Sequence, residues 1–294
     1  MEIKKVGVVG CGLMGHGIAQ VCAQAGWDVV VREVDQDRLD AGLGKIDKQL
    51  SRAIGKGKLE QGDADAIRGR LHATTDYAQL ADCDLVIEAI TENLEAKLEM
   101  WKELDSVVKP EAFFATNTSS LSVADQAAAT SRAGQFLGLH FFNPAQVMPL
   151  LEVVSADETS DEATALGFEL GETLRKTAVA AGDNRGFIVN RLLVPYMFDA
   201  MVAYEQGVGS IEDIDKGMIA GASHPMGPLT LADFVGLDTL VSIGGVMHDY
   251  YGEERFAAPA TLRKLVDSGH LGRKSGRGFY DYSGETPQAV DPGE

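Results

Sequence analysis

The first 180 residues alternate short apolar runs with amphipathic stretches, and this alternation limits the fold more than any other feature of the chain. Val6–Val9, Val29–Val31, Leu85–Ala89, Phe113–Thr116, Phe136–Phe142, Leu150–Val154 and Thr177–Ala181 read as strands. They are nearly continuous in apolar residues, as strands covered on both faces are. Helical patterns lie between several of them, at Gln36–Ile54, Glu95–Val108 and Asp161–Lys176. Such repetition predicts an α/β domain with a doubly wound, mostly parallel sheet. A turn-rich break, Gly182-Asp183-Asn184-Arg185-Gly186, ends the pattern. Beyond it only helical periodicity remains, over Phe187–Gln206, Ile211–Ala220, Leu229–Phe234, Leu237–Tyr250 and Ala260–Asp267. The expected organisation is therefore an α/β domain over 1–183 and an all-α domain over 184–283. The polar, Pro/Gly-rich segment 284–294 reads as a flexible tail.

The 294 residues suffice for two domains with their own cores. Acidic residues outnumber basic ones 44 to 26, a formal net charge of −18. That balance argues against nucleic-acid and anionic-membrane partners, which need basic surfaces. The three cysteines, Cys11, Cys22 and Cys83, are too few and odd in number for a disulfide scaffold and fit a reducing compartment. No apolar run approaches the roughly 18 residues of a membrane span. The N-terminus enters a strand pattern almost at once, leaving no room for a targeting segment. A cytoplasmic protein is expected, and no metal.

Gly10-Cys11-Gly12-Leu13-Met14-Gly15 follows the first strand and opens a helix. In that context G-x-G-x-x-G is the dinucleotide signature of a Rossmann-type domain. Gly10 permits the tight turn, Gly12 lets the backbone approach a pyrophosphate, and Gly15 lets the helix pack on the strand. Helix-terminal N–H groups then face the anion. Glu33 ends the second strand, where a carboxylate accepts from both ribose hydroxyls and repels a 2′-phosphate. The neighbouring Arg32 reads either as a partner for such a phosphate or as a solvated strand end. NAD is favoured over NADP.

The chemistry concentrates further on. Thr116-Asn117-Thr118-Ser119-Ser120 follows a strand, and loops at the carboxyl ends of parallel strands line the ligand crevice. His140 lies in the next apolar strand and Glu152 in the one after, beyond a Pro-bounded turn. Hydride transfer from a secondary alcohol needs a base for the hydroxyl proton, and histidine titrates in the right range. A carboxylate on its other nitrogen would fix the tautomer, and a twelve-residue strand–turn–strand separation allows that contact. Taken singly, His140 reads more readily as a core residue, and Glu152 can be read as a solvent-facing one. Their clustering with a dinucleotide loop favours the chemical reading. Asn190, early in the first helix of the second domain, is a local bridge or an amide that holds a substrate carbonyl.

These residues, with Val86-Ile87-Glu88-Ala89-Ile90-Thr91-Glu92-Asn93, His140-Phe141-Phe142-Asn143-Pro144, Gly186-Phe187-Ile188-Val189-Asn190-Arg191, His224-Pro225-Met226-Gly227-Pro228 and Gly276-Arg277-Gly278-Phe279-Tyr280, resemble the 3-hydroxyacyl-CoA dehydrogenases from Val6 to about Tyr282. The bacterial 3-hydroxybutyryl-CoA branch is the most similar. The resemblance implies His140 as acid/base, Glu152 as its orienting partner, Ser119 as the residue bonding the reacting 3-oxygen and Asn190 as its support. It implies cofactor contacts at Gly10, Gly12, Leu13, Met14, Gly15, Glu33, Glu92, Lys97, Asn117, Ser119, Asn143 and Lys274. It implies coenzyme A contacts of the acyl-CoA substrate at Ser51 and Lys58, and a homodimer through the helical domain. Two positions depart from the family pattern: Gln146 and Arg185 stand where proline is usual. A lost proline frees φ and restores an N–H, which is expected to tune closure or acyl preference.

Two rival readings remain. One is a related two-domain dehydrogenase of a free hydroxy acid, and the other a non-catalytic, crystallin-like relative. The basic run Lys45, Lys48, Arg52, Lys56 and Lys58, with Asp47 its only acid, has no use for a free acid. It is expected to meet CoA phosphates. Arg273-Lys274-Ser275-Gly276-Arg277 is expected to meet those of the cofactor.

Overall fold

The structure, a computed structural model, describes residues 2–292. It divides into two compact units that meet between Asn184 and Arg185.

The first unit carries an eight-stranded sheet. In chain order its strands are β1 (Lys5–Val9), β2 (Asp28–Arg32), β3 (Leu71–Thr74), β4 (Leu85–Glu88), β5 (Phe113–Thr116), β6 (Phe136–Phe141), β7 (Leu150–Ser155) and β8 (Thr177–Gly182). In space they run β3-β2-β1-β4-β5-β6-β7-β8. The order reverses between β1 and β4, the switch point at which a doubly wound sheet opens its ligand crevice. Every pairing is parallel except β6–β7, which is antiparallel. The eight residues that join β6 to β7 are too few for the dozen or so a parallel crossover requires. The helices are α1 (Gly15–Gln24), α2 (Gln36–Gly55), α3 (Gln61–Gly69), α4 (Leu94–Val107), α5 (Val123–Ala127) and α6 (Asp161–Thr173). Asp35, Asn93, Ser122 and Ser160 cap α2, α4, α5 and α6 by accepting from the N–H three residues on, at 2.8, 2.9, 3.1 and 3.1 Å.

Alternation along β6 builds both a core and a site. Leu137, Leu139 and Phe141 join the apolar cluster under α1, α2 and α6. Phe136, Gly138 and His140 take the other face, where the ring of Phe136 meets Trp101 edge-on at 4.8 Å. β3 is absent from the expected strands because Leu71-His72-Ala73-Thr74, a half-exposed edge strand, has no apolar run.

The second unit is helical: α7 (Val189–Glu205), α8 (Ile211–Ala222), α9 (Pro228–Val235), α10 (Leu237–Tyr251) and α11 (Ala260–Asp267). Two buried carboxylates lock its C-terminal segment. Asp215 accepts from Leu229 and Thr230 N–H and from the Tyr280 hydroxyl, at 2.8, 2.9 and 2.9 Å. Asp233 accepts from Phe279 N, Tyr280 N and the Tyr282 hydroxyl, at 3.0, 2.9 and 3.0 Å. The segment 284–294, expected to be a flexible tail, instead carries a strand, and its residues 293–294 lie outside the described ones. β9 (Tyr280–Asp281) pairs antiparallel with β10 (Gln288–Ala289), and Val290 N donates to Phe279 O. Its polar composition hides the pairing, because two-residue strands carry no hydrophobic period. Among the described residues no single helix is long and apolar enough to cross a membrane, and no cluster of His, Cys, Asp and Glu could hold a metal.

Candidate active site

The glycine loop joins β1 to α1 at the switch point. Gly10 has φ +95°, and a Cβ there would lie 2.6 Å from Ala89 O at the end of β4. A Cβ on Gly15 would lie 1.8 Å from Gly10 O, so this turn closes only on glycine. A Cβ on Gly12 would meet nothing within 4 Å, which leaves open space in front of the loop. Leu13 is exposed and Met14 half-buried at the start of α1. Glu33 reaches the same loop: one oxygen accepts from Cys11 N at 2.9 Å and the other from Val34 N at 2.8 Å. The Cys11 thiol is pushed up to about 12 by burial and the nearby Glu33 charge. Arg32 turns away, its guanidinium 3.7 Å from the ring centre of Tyr77 and its Nε donating to Thr75 O at 3.3 Å. A glycine cradle with room in front and an acid at the ribose position fit NAD.

The second part is the loop after β5. Glu92, between β4 and α4, gathers it. Its Oε1 accepts from the Thr118 hydroxyl at 2.6 Å and from the N–H groups of Ser119 and Ser120 at 2.9 and 3.1 Å. The hydroxyls of Ser119 and Ser120 approach the same oxygen at 3.2 and 3.3 Å. Burial would raise the Glu92 carboxyl, but Lys97 and these donors hold it below its ordinary value. Lys97 is buried, 3.4 Å from Glu92 and in contact with Glu88. Glu88, fully buried at the end of β4, also accepts from Ile90 N at 2.7 Å and the Thr116 hydroxyl at 2.6 Å. The sequence assigns Glu88 no role; its one signal is a carboxylate closing an otherwise apolar strand. Asn117 ties the loop to β6 by accepting from Phe141 N at 2.9 Å.

The third part is His140 and Glu152. They are direct partners in the β6–β7 register, so both side chains leave the same face of the sheet. His140 Nδ1 lies 2.6 Å from Glu152 Oε2, with Glu152 fully buried and His140 nearly so. A carboxylate only accepts, so Nδ1 carries the proton and Nε2 is the nitrogen that can exchange one. The ring packs against Phe142, centroids 4.5 Å apart.

Other expected site residues have different surroundings. Asn143 is exposed beyond β6. Ser51 is exposed on α2, and Lys58 just past its end. Lys45, Lys48, Arg52 and Lys56 are also exposed, and the one acid among them, Asp47, is drawn off by Arg68 at 2.7 Å. In the second unit Asn190 lies half-buried in the first turn of α7. Lys274, expected at the cofactor, pairs with Asp238 at 2.5 Å. Arg273 lies 5.3 Å from the ring centres of both Phe234 and Tyr282. The basic run 273–277 is thus partly neutralised and stacked within its own unit.

Residues 5–184 match the family model described as 3-hydroxyacyl-CoA dehydrogenase, NAD binding domain, and residues 186–282 match that family's C-terminal domain. The chain belongs to the 3-hydroxyacyl-CoA dehydrogenase family. It is 48% identical over 278 residues to the probable 3-hydroxybutyryl-CoA dehydrogenase of Deinococcus radiodurans, covering 95% of this chain and all of that one. It is 47% identical over 282 residues to the 3-hydroxybutyryl-CoA dehydrogenase of Mycobacterium tuberculosis, covering 95% and 99%. Among solved structures, the (S)-3-hydroxybutyryl-CoA dehydrogenase of Ralstonia eutropha superimposes with a TM-score of 0.92 at 40% identity, over 96% of this chain and all of that one. As a member of this dehydrogenase family the chain carries the NAD-binding domain that the glycine loop and Glu33 fit.

Proposed function

We propose that this protein is an NAD-dependent dehydrogenase that interconverts (S)-3-hydroxyacyl-CoA and 3-oxoacyl-CoA esters, with 3-hydroxybutyryl-CoA and acetoacetyl-CoA as its pair. The observation that carries the reading is the buried His140–Glu152 hydrogen bond of 2.6 Å, in a chain whose two family-model matches leave little of it uncovered. When bound, NAD supplies the hydride acceptor of the oxidation, and its reduced form the donor of the reverse reaction. His140 Nε2 takes the 3-hydroxyl proton on oxidation and returns one on reduction. Glu152 stabilises the imidazolium that forms and holds the ring in one tautomer. Ser119 touches the 3-oxygen: its bond to Glu92, at 3.2 Å, is among the longest that carboxylate accepts, so the hydroxyl can turn to substrate. Glu33, Glu92, Lys97, Asn117 and Asn143 serve the cofactor side, Glu92 and Lys97 by holding the Ser119 loop. The roles of Asn190 and Lys274, and a homodimer through the helical unit, rest on the family resemblance. So does a cytoplasmic location.

The exposed cations of α2 take the CoA phosphates together with Ser51 and Lys58. Their charge stands against an acidic background, so the attraction is local and screened by salt. The test is a steady-state panel of acetoacetyl-CoA, longer 3-oxoacyl-CoA esters and free acetoacetate with both reduced nicotinamides. Turnover of acetoacetyl-CoA with NADH, and none of free acetoacetate, is expected. Equal use of the free acid would replace the reading with a hydroxy-acid dehydrogenase. No turnover of any ester would make the protein a non-catalytic relative.

A further inference from the structure

The connection between β6 and β7 bears directly on the acid–base pair, because it sets which residue of β7 faces His140. A slip of one residue would turn Glu152 to the opposite face of the sheet. Within this connection Val147 N and Met148 N both donate to Pro144 O at 2.9 Å, a local turn. One side of it rests on α1. A Cβ on Gly17 would lie 2.7 Å from Gln146 Oε1 and 3.1 Å from the Ala145 Cβ, so the chain approaches this helix as closely as glycine allows. Gln146, which replaces the usual proline, does not anchor it through its carbonyl: Oε1 is buried without a hydrogen-bond partner.

The other side is held by the turn between α6 and β8. Lys176 Nζ donates to Ala145 O at 2.6 Å and to Met148 O at 2.8 Å, and Thr177 N donates to Pro149 O at 2.6 Å. The ammonium also lies 5.8 Å from the ring centre of Phe141, the residue next to His140. Among the described residues no carboxylate pairs with it. Burial holds it below the usual lysine range. A methionine would fill the same space without the cost of desolvating a charge. What the ammonium adds is two directed bonds to main-chain carbonyls, one five residues after His140 and one four residues before Glu152.

We propose that Lys176 is a positioning residue for catalysis, fixing the 142–149 connection and through it the register and distance of His140 against Glu152. The proposal rests on the reading of that pair as the acid–base couple. Lys176 acts without touching substrate or cofactor, so its loss misplaces the couple rather than removing it. Small misplacements of reacting groups carry large rate penalties, up to about 10²-fold per ångström.

The experiment compares wild type, Lys176→Met, Lys176→Arg and His140→Gln in acetoacetyl-CoA reduction with NADH. Turnover is measured across pH, alongside thermal stability and the proton NMR signal of the His140–Glu152 hydrogen bond. In Lys176→Met we expect kcat to fall about tenfold with the KM for NADH within about twofold. The pH limb that reports His140 should move, and the downfield proton resonance should shift. Lys176→Arg, which can still donate to both carbonyls, should recover much of each. A Lys176→Met protein with lowered thermal stability but wild-type kcat, pH profile and resonance would overturn the proposal. If that variant does not fold, Lys176→Gln takes its place, and the same unchanged readouts overturn it. His140→Gln separates the two claims. If it keeps turnover, the acid–base reading fails; if it is inactive while the Lys176 variants behave as wild type, only the role of Lys176 fails.

Discussion

His140–Glu152 and Lys97–Glu88 are both buried pairs of a basic side chain with a carboxylate at the same sheet, and they are assembled differently. The first joins two strands at matched register positions; the second joins the end of β4 to the first turns of α4. The lysine of the second pair lies between two carboxylates, Glu88 and Glu92, and through Glu92 holds the loop of Ser119. The histidine of the first is charged only when it has taken a proton. Two similar contacts therefore do different work. The lysine pair sets geometry, and the histidine pair, with one ring nitrogen bonded to Glu152 and the other able to exchange a proton, can carry one.

Breaking the geometric pair should have the largest effect. Lys97→Met leaves Glu88 buried without its cation, and removing one partner of a buried pair costs about 3–5 kcal/mol. Denaturant unfolding should show that loss. A variant of unchanged stability would mean that Glu88 is protonated or that water reaches it. Glu152→Gln tests the other half of the comparison. Its shape is kept, so thermal stability should hold while kcat falls about 10²-fold, with the dissociation constant for NADH nearly unchanged. Loss of stability with little loss of turnover would make Glu152 a structural residue like Glu88.

The exposed cations of α2 supply the solvated extreme. Charge reversal at Lys48 and Arg52 should raise the KM for acetoacetyl-CoA about tenfold at low salt, and the difference should shrink as salt is added. An effect on kcat instead would take these residues out of CoA binding. An effect on stability alone, present only as pH changes, is expected at Asp233, a buried carboxylate held by N–H and O–H donors. Burial, with Asp215 nearby, raises its pKa from 3.8 to about 6. Between those values the folded chain binds more protons than the unfolded one, so this group's contribution to stability is lost as pH rises through that window. Asp233→Asn should therefore gain on wild type by about 2–3 kcal/mol between pH 4 and pH 7. A difference independent of pH would mean the carboxylate is already ionised at the lower pH.

The same contrast explains what can be read from the residues alone. Apolar runs make β1, β2 and β4–β7 legible because these strands are buried, and β8 because Thr177–Ala181 is apolar although it is an exposed edge strand, whereas the half-exposed β3 has no apolar run. The glycine loop and Glu33 are legible because a phosphate site needs a fixed local spacing. His140 and Glu152 are legible as two strands and a turn, but their contact depends on a register that only the connection decides. Glu88 is illegible, because nothing local shows that a lysine nine residues on will turn inward to meet it. The basic runs 45–58 and 273–277 look alike as sequence. Their fates differ because Asp238 and Phe234, more than thirty residues earlier in the chain, occupy the second together with the nearby Tyr282.

The acid–base role of His140 is tested by the turnover of His140→Gln with acetoacetyl-CoA and NADH, measured beside its NADH affinity and thermal stability. Proton transfer by a positioned histidine contributes about 10²–10⁴-fold. A loss of that size is expected, with fold and cofactor affinity retained. Near wild-type turnover in a folded, NADH-binding variant would contradict it.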